Sequence, residues 1–146
     1  MGIIYNMVKD FKSKYWLTIA IRLKSHCSVA EMYLNPGEEV LFAFPAQMNE
    51  RPYLLDTVVI VLTDKRILVC QKRLFWGHTY YAITPDMFND LKIYTRLFWS
   101  KIKIDTVKEL IVLSNIDKRG ADDIETKIST FMMEEKKKYK IGSDDK

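Results

Sequence analysis

Few side chains in this chain have chemistry to offer, and their spacing decides what that chemistry is. The sequence contains two histidines, His26 and His78, and two cysteines, Cys27 and Cys70. None sits in a Gly-x-Ser-x-Gly turn, a His-Glu-x-x-His helix or a Cys/His nucleophile setting, so no nucleophile and base can be paired. The cysteines form no Cys-x-x-Cys and have no further Cys or His at zinc spacing. They read as two reduced thiols of a cytosolic protein, with a single disulfide left as the alternative. Gly37, Gly77 and Gly120 are isolated, so no glycine-rich loop is present to cradle a phosphate. The pairs Asp122-Asp123 and Glu134-Glu135 read as helix-end and solvated charges. No catalytic residue, cofactor or metal is assigned on these grounds.

One stretch has a different kind of chemistry. In Lys72-Arg73-Leu74-Phe75-Trp76-Gly77-His78, two cations precede two large aromatic residues at a loop tip. That is the composition of a membrane-interface contact, because tryptophan combines an apolar body with a polar N–H. Phe98-Trp99 poses the same question at another turn. The competing reading is that these rings pack on the domain, on an N-terminal helix or on a second subunit. Lys72, Arg73, Phe75, Trp76, Phe98 and Trp99 are therefore the candidate contact residues for a membrane or a partner.

The elements that must carry these residues follow from periodicity. Residues 3–32 read as helical, in one piece or two. Ile4, Val8, Phe11 and Tyr15 form a stripe at spacing three to four, which Ile19 and Leu23 continue and Trp16, Leu17 and Ala20 widen. Asn6 is a candidate N-cap. Ser25 to Ser28 is the expected break, with a short helix over Val29 to Leu34 ended by Asn35-Pro36-Gly37. Lys9, Lys12, Lys14, Arg22 and Lys24 with Phe11 and Trp16 also suit a membrane-lying helix, but a broad apolar stripe favours packing.

From Glu38 the period becomes two. Strands are expected from Val40 to near Pro45, Leu54 to Leu62, Ile67 to Gln71, His78 to Ile83, Leu91 to Leu97, Lys101 to Thr106 and Glu109 to Leu113. Gln47 to Pro52 reads as a loop, Thr63 to Arg66 as a tight turn, Arg73 to Gly77 as a loop and Phe98 to Ser100 as a turn. In an up-and-down sheet the loops after the first and third strands lie at the same end. Asn115 to Arg119 is polar, Gly120 punctuates it, and Asp122 with Glu125 resembles a capping box. Ile124, Ile128, Phe131 and Met132 then form a helical stripe, with acids at its start and Lys136, Lys137 and Lys138 near its end, as the helix dipole favours. Residues 141–146 read as a frayed tail.

Several residues carry a resemblance. They are Pro36-Gly37-Glu38-Glu39 before the first strand, the run from Val61 through Thr63-Asp64-Lys65-Arg66 to Leu68, Gly77, Ile83, and Ser100-Lys101-Ile102-Lys103-Ile104. With seven strands followed by one helix, they resemble bacterial pleckstrin-homology-like domains, and the YokE-like group in particular. The resemblance covers roughly residues 34–138. It implies a non-catalytic cytosolic domain that often self-associates. Some eukaryotic relatives bind phosphoinositides, which requires several cations around the first two strands. Gln47 to Tyr53 contains only Arg51, with Glu50 beside it, so that activity is not expected.

Composition sets the outer limits. The 146 residues are 48% hydrophobic and 29% charged, enough apolar surface for one domain with a real core. The formal charge is +4. Residues 1–36 carry +3 (five basic, two acidic), residues 37–114 carry +1 (ten and nine), and residues 115–146 balance at eight each. Interleaved acids leave little pull on a phosphate backbone, so no nucleic acid is expected. No signal peptide is read, and the apolar run Tyr15 to Ile21 is too short to span a bilayer, which needs about 20 residues.

The expectation is a mainly β fold, a partly open seven-stranded antiparallel barrel or sandwich with a C-terminal capping helix over residues 121–139. Residues 1–33 form an N-terminal helical extension and residues 34–140 the domain proper. The leading function is a non-enzymatic interaction module that binds protein partners, copies of itself included. The alternative is peripheral attachment to an anionic membrane surface. The expected location is cytoplasmic or peripheral at the membrane.

Overall fold

The computed structural model describes residues 2–49 and 54–144. Two helices, α1 (Ile3–Lys14) and α2 (Leu23–Tyr33), precede seven strands: β1 (Val40–Met48), β2 (Thr57–Thr63), β3 (Ile67–Lys72), β4 (His78–Ile83), β5 (Phe88–Thr95), β6 (Trp99–Thr106) and β7 (Leu110–Asp117). A long helix, α3 (Lys118–Asp144), follows. All strand pairs are antiparallel, in the order β4-β3-β2-β1-β7-β6-β5. The sheet curls into a half-barrel, as expected from the strand pattern.

The β2 sequence Thr-Val-Val-Ile-Val-Leu-Thr is buried at every position. Val58, Ile60 and Leu62 face the barrel interior, with Ile67 and Val69 of β3, Phe44 and Ala46 of β1, and Ile124, Ile128 and Met132 of α3. Val59 and Val61 face the other way, with Ala43, Leu68 and Cys70, and are covered by Ile4 and Val8 of α1 and Val29 and Ala30 of α2. A strand covered on both faces reads as a continuous apolar run rather than an alternation. The N-terminal extension is thus the second layer of the fold, and it supplies the burial that makes β2 so apolar. Its stripe Ile4, Val8, Phe11 and Tyr15 is buried as expected. A membrane-lying α1 is ruled out for that face, because Phe11 and its stripe are spent on the sheet.

The helical break lies at residues 15–22, not at Ser25 to Ser28. Tyr15 to Ile21 has helical-looking periodicity, but its backbone is bound to the sheet instead. Ile19 N–H donates to the Asn115 carbonyl at 2.9 Å, and the Thr18 hydroxyl accepts the Asp117 N–H at 2.9 Å. Gly2, not Asn6, occupies the N-cap position of α1.

Other boundaries shift for identifiable reasons. β1 runs through Pro45 to Met48, and Gln47 is buried within it. β1 meets β7 only at Gln47 and Met48, so at Pro45 the β7 side has no partner strand and the missing N–H costs nothing. Residues 50–53, the rest of the expected loop, lie outside the described residues. Leu54–Asp56 forms a single 3-10 turn ahead of β2. β5 begins at Phe88 and ends at Thr95, and Trp99 opens β6, so the turn is residues 96–98, closed by Arg96 N–H to the Trp99 carbonyl at 2.9 Å.

β7 extends to Asp117, and α3 starts at Lys118 rather than Asp122. Asp117 is the cap: its Oδ1 accepts the Arg119 N–H at 3.0 Å, which satisfies an otherwise orphaned first-turn donor. Gly120 is inside the helix. A Cβ there would lie 2.7 Å from Phe11 Cζ and 2.9 Å from the Tyr15 ring, so glycine is needed for close approach, not for a turn. α3 continues through Asp144, and residues 145–146 lie outside the described residues.

Candidate interaction surface

The loop joining β3 to β4, residues 73–77, is closed by Arg73 N–H donating to the Gly77 carbonyl at 3.1 Å. Gly77 has φ +79°, a conformation in which a side chain is strained. The tight closure leaves Leu74, Phe75 and Trp76 no core to enter. Phe75 is 84% exposed and Trp76 81% exposed. Their ring centroids are 6.3 Å apart, in contact with one another. Two of the competing readings, packing on the domain and packing on the N-terminal helix, are thereby set aside for these two rings.

The root of the loop is held from below. Buried His26 of α2 accepts the Lys72 N–H on Nδ1 at 2.9 Å, and Arg22 donates from Nη1 to the Lys72 carbonyl at 3.2 Å. Arg22 adopts φ +57° to make this approach. Lys72 and Arg73 therefore stand on a fixed base at the foot of an exposed aromatic tip. Arg22 and His26 were not singled out as site residues by sequence reasoning, since nothing in the spacing ties residue 26 to residue 72.

At the same end of the barrel, β1, β3, β4 and β7 enclose a cavity of about 290 Å³. Its lining includes Asn49, Gln71, Thr79 and Tyr81, together with Arg73 and the acids Asp56 and Glu109. Asn49 and Asp56, which flank residues 50–53, line this cavity together with Arg73 of the third inter-strand loop. Among the described lining residues Arg73 is the one cation, and two carboxylates accompany it. That charge pattern disfavours a multiply charged phosphate ligand.

Phe98 and Trp99 are elsewhere, at the β5–β6 turn. Trp99 is half-buried, and its Nε1–H donates to the Leu17 carbonyl at 2.7 Å. Its role is to hold the 15–22 segment. Phe98 is exposed, as is Trp16, which the helical stripe wrongly assigned to an apolar packing face.

Two of the stretches that carried the family resemblance, the one around Glu38 and the turn from Thr63 to Arg66, meet at one place. Glu38 accepts from Arg66 Nε at 3.0 Å and Nη2 at 3.1 Å, from the Thr63 hydroxyl at 2.6 Å and from the Asn35 N–H at 3.0 Å. Burial would raise the Glu38 carboxyl, but the bonds from Arg66, Thr63 and Asn35 outweigh it and hold the group down at about 2. Asp64 accepts the Glu39 N–H at 2.9 Å. The motif is a structural lock between the turn after β2 and the start of β1.

His26 is held down at about 4, by burial and then by the Arg22 charge. His78 accepts or shares a bond with the Tyr33 hydroxyl at 2.6 Å. Burial pushes the Cys27 and Cys70 thiols up to about 12. Among the described residues, no group of three His, Cys, Asp or Glu side chains is placed to hold a metal ion. Among the described residues, no helix is long and apolar enough to cross a membrane.

A seven-stranded antiparallel half-barrel followed by a C-terminal helix is a pleckstrin-homology-like fold. The family model of the bacterial PH domain matches residues 34–130, and the chain belongs to that family. It is similar in fold to the C-terminal domain of an unknown protein from Leishmania infantum (18% identity, TM-score 0.53, covering 75% of this chain and 93% of that one). It is also similar to a pleckstrin homology domain from Shewanella amazonensis SB2B (18%, 0.52, 75% and 96%). A pleckstrin-homology-domain protein from Shewanella loihica PV-4 is a further likeness (14%, 0.51, 75% and 91%). No curated protein matches the chain.

Proposed function

We propose that this domain is a non-enzymatic interaction module whose contact element is the β3–β4 loop, and that its partner is an anionic membrane surface. The observation that carries this reading is the exposure of Phe75 and Trp76 on a closed, rigidly based loop beside Lys72 and Arg73. Two aromatic side chains in water are unfavourable, and the headgroup region accepts both their apolar bodies and the indole N–H. The cations add attraction to acidic lipids that falls with salt.

The test is co-sedimentation with phosphatidylserine-containing vesicles at low and high salt, with Trp76→Ala alongside. Salt-sensitive binding by the native chain, lost in Trp76→Ala, is the expected result. No sedimentation at low salt would sink the reading. Because Trp76 is exposed, Trp76→Ala should change folding stability by no more than about 0.5 kcal/mol, so lost binding cannot be blamed on unfolding.

A second reading is self-association, and one observation favours it. β4 (His78–Ile83) is an edge strand with no Lys, Arg, Asp or Glu along it. Uncharged edges invite pairing with another strand. Light scattering decides between the two: a particle mass at a multiple of 17.2 kDa, reduced by a lysine at Tyr81, favours the second.

A further inference from the structure

Three stretches of chain meet at Leu17. Its N–H donates to Asp117 Oδ2 at 3.3 Å and its carbonyl accepts the Trp99 indole N–H at 2.7 Å. Next door, Lys118 N–H donates to the Phe98 carbonyl at 3.2 Å. These bonds fasten the end of α1 to the β5–β6 turn and to the start of α3. They also leave large apolar side chains outside. Trp16 is 64% exposed, Leu97 73% and Phe98 47%.

The corner is basic. The Arg119 guanidinium lies 5.9 Å from the centre of the Trp16 ring, and Lys12 Nζ donates to the Trp16 carbonyl at 2.9 Å. Arg96, next to Leu97 in the chain, and Lys118, whose N–H bonds the Phe98 carbonyl, are both exposed. The acid at the junction, Asp117, is buried and paired with Arg119, so it offsets that one cation and leaves the charges of Arg96 and Lys118.

We infer that this corner is a second contact for an anionic membrane surface, in which Trp16, Leu97 and Phe98 enter the headgroup region while the surrounding cations meet acidic lipid. Its complement is set by charge: a protein surface would have to be both apolar and acidic over the same area, whereas an anionic bilayer is so everywhere. The corner is joined to the β3–β4 loop by the segment between them. From Leu17 the chain passes Asn115 of β7, donates from Ile21 N–H to Thr57 Oγ1 of β2 at 3.2 Å, and ends with Arg22 on Lys72 of β3. Five residues span at most about 18 Å. The choice of partner rests on the reading proposed for the loop; the corner itself does not involve the loop.

The native tryptophans report the two contacts separately. W76F keeps Trp16 and Trp99, W16F keeps Trp76 and Trp99, and W16F/W76F gives the Trp99 background. Trp99 stays in all three because it holds Leu17. Each protein is mixed with phosphatidylcholine–phosphatidylserine vesicles carrying brominated acyl chains. The expected result is that W76F emission shifts to the blue and is quenched beyond the double variant. Replacing Arg96 and Lys118 together by glutamine should weaken binding about 30-fold at low salt, from roughly 1 kcal/mol per basic residue near the surface. Quenching in W16F but only background quenching in W76F overturns the inference and leaves the loop reading standing. Quenching in W76F but not in W16F does the opposite. No vesicle binding by the native chain removes both. A native particle of twice the monomer mass that becomes monomeric in Trp16→Ala also overturns it, by showing the corner covered by a second copy.

Discussion

His26 and Lys72 are joined by a 2.9 Å hydrogen bond in which the imidazole Nδ1 accepts the backbone N–H. β2 and β3 pair no further than Val59 with Cys70, so the Lys72 N–H has no ladder partner, and the buried ring supplies the missing acceptor. Only neutral imidazole can do this, which fixes the tautomer with its proton on Nε2. The exposed loop therefore depends on a helix that lies outside the region matched by the family model.

This bond has a pH signature. Burial, and then Arg22, lowers His26 from 6.5 to about 4. The unfolded chain thus binds more protons between those values, and stability falls as pH drops from 6.5 to 4, then levels off. A shift of that size corresponds to about 3 kcal/mol. Urea unfolding at pH 7.5, 5.5 and 4 checks it. His26→Ala should be less stable at pH 7.5 and should show a flatter profile across the window; an unchanged profile would show that His26 does not report on folding.

The Glu38–Arg66 pair acts in a lower window. Both side chains are largely inaccessible, at 2% and 13%, and the carboxyl is held from 4.5 down to about 2. Its contribution is complete above pH 4.5 and is lost as pH falls toward 2. Glu38→Gln leaves Arg66 without its counter-charge and should cost about 3 kcal/mol or more, in line with other buried pairs broken on one side. A double-mutant cycle with Arg66→Met should show strong coupling; additive losses would mean the two residues act independently.

The thiols offer a test of α2 docking. Cys27 lies on α2 and Cys70 on β3, both buried, and burial raises each to about 12. Almost no thiolate exists at pH 8, and reagents have no access. An aromatic disulfide reagent should titrate no thiol in the native protein within minutes and both in denaturant. Rapid modification of both under native conditions would show that α2 opens from the sheet.

The strands were legible because burial writes itself into residue type. β4 was delimited in full, since Pro85 and Gly77 bracket its alternating residues. The loop carrying Phe75 and Trp76 was legible for the same reason. What the sequence hid is governed by contacts between distant residues. Tyr15 to Ile21 keeps a helical spacing of apolar residues, but backbone bonds to Asn115, Asp117 and Thr57 pull it out of the helix. Trp16 was assigned to a packing stripe and is exposed, while Trp99 was assigned to a turn tip and is anchored. His26 and Arg22 gave no signal, because an acceptor for an unpaired strand N–H is needed only once α2 lies against β3.

Gly120 is the most specific of these hidden contacts. As a residue between a polar stretch and an amphipathic helix it reads as punctuation, yet it lies in the first turn of α3. There the added Cβ of an alanine would sit 2.7 Å from Phe11 Cζ and 2.9 Å from the Tyr15 ring. Both rings are buried, and Phe11 is wedged between Tyr15, Phe42 and Phe44 at centroid distances of 4.8 to 5.9 Å, so neither can swing aside. Alanine gains about 1 kcal/mol of helix propensity over glycine, while overpacking a filled core costs about 1–3 kcal/mol. Gly120→Ala should therefore lower stability, in contrast to the gain expected at an exposed helical glycine. Phe11→Leu should recover part of the loss when combined with Gly120→Ala. Thermal unfolding of the two single variants and the double variant measures this. A Gly120→Ala protein as stable as the native one would mean that α1 and α3 can move apart here, and that the close approach of Phe11 to Gly120 does not constrain the fold.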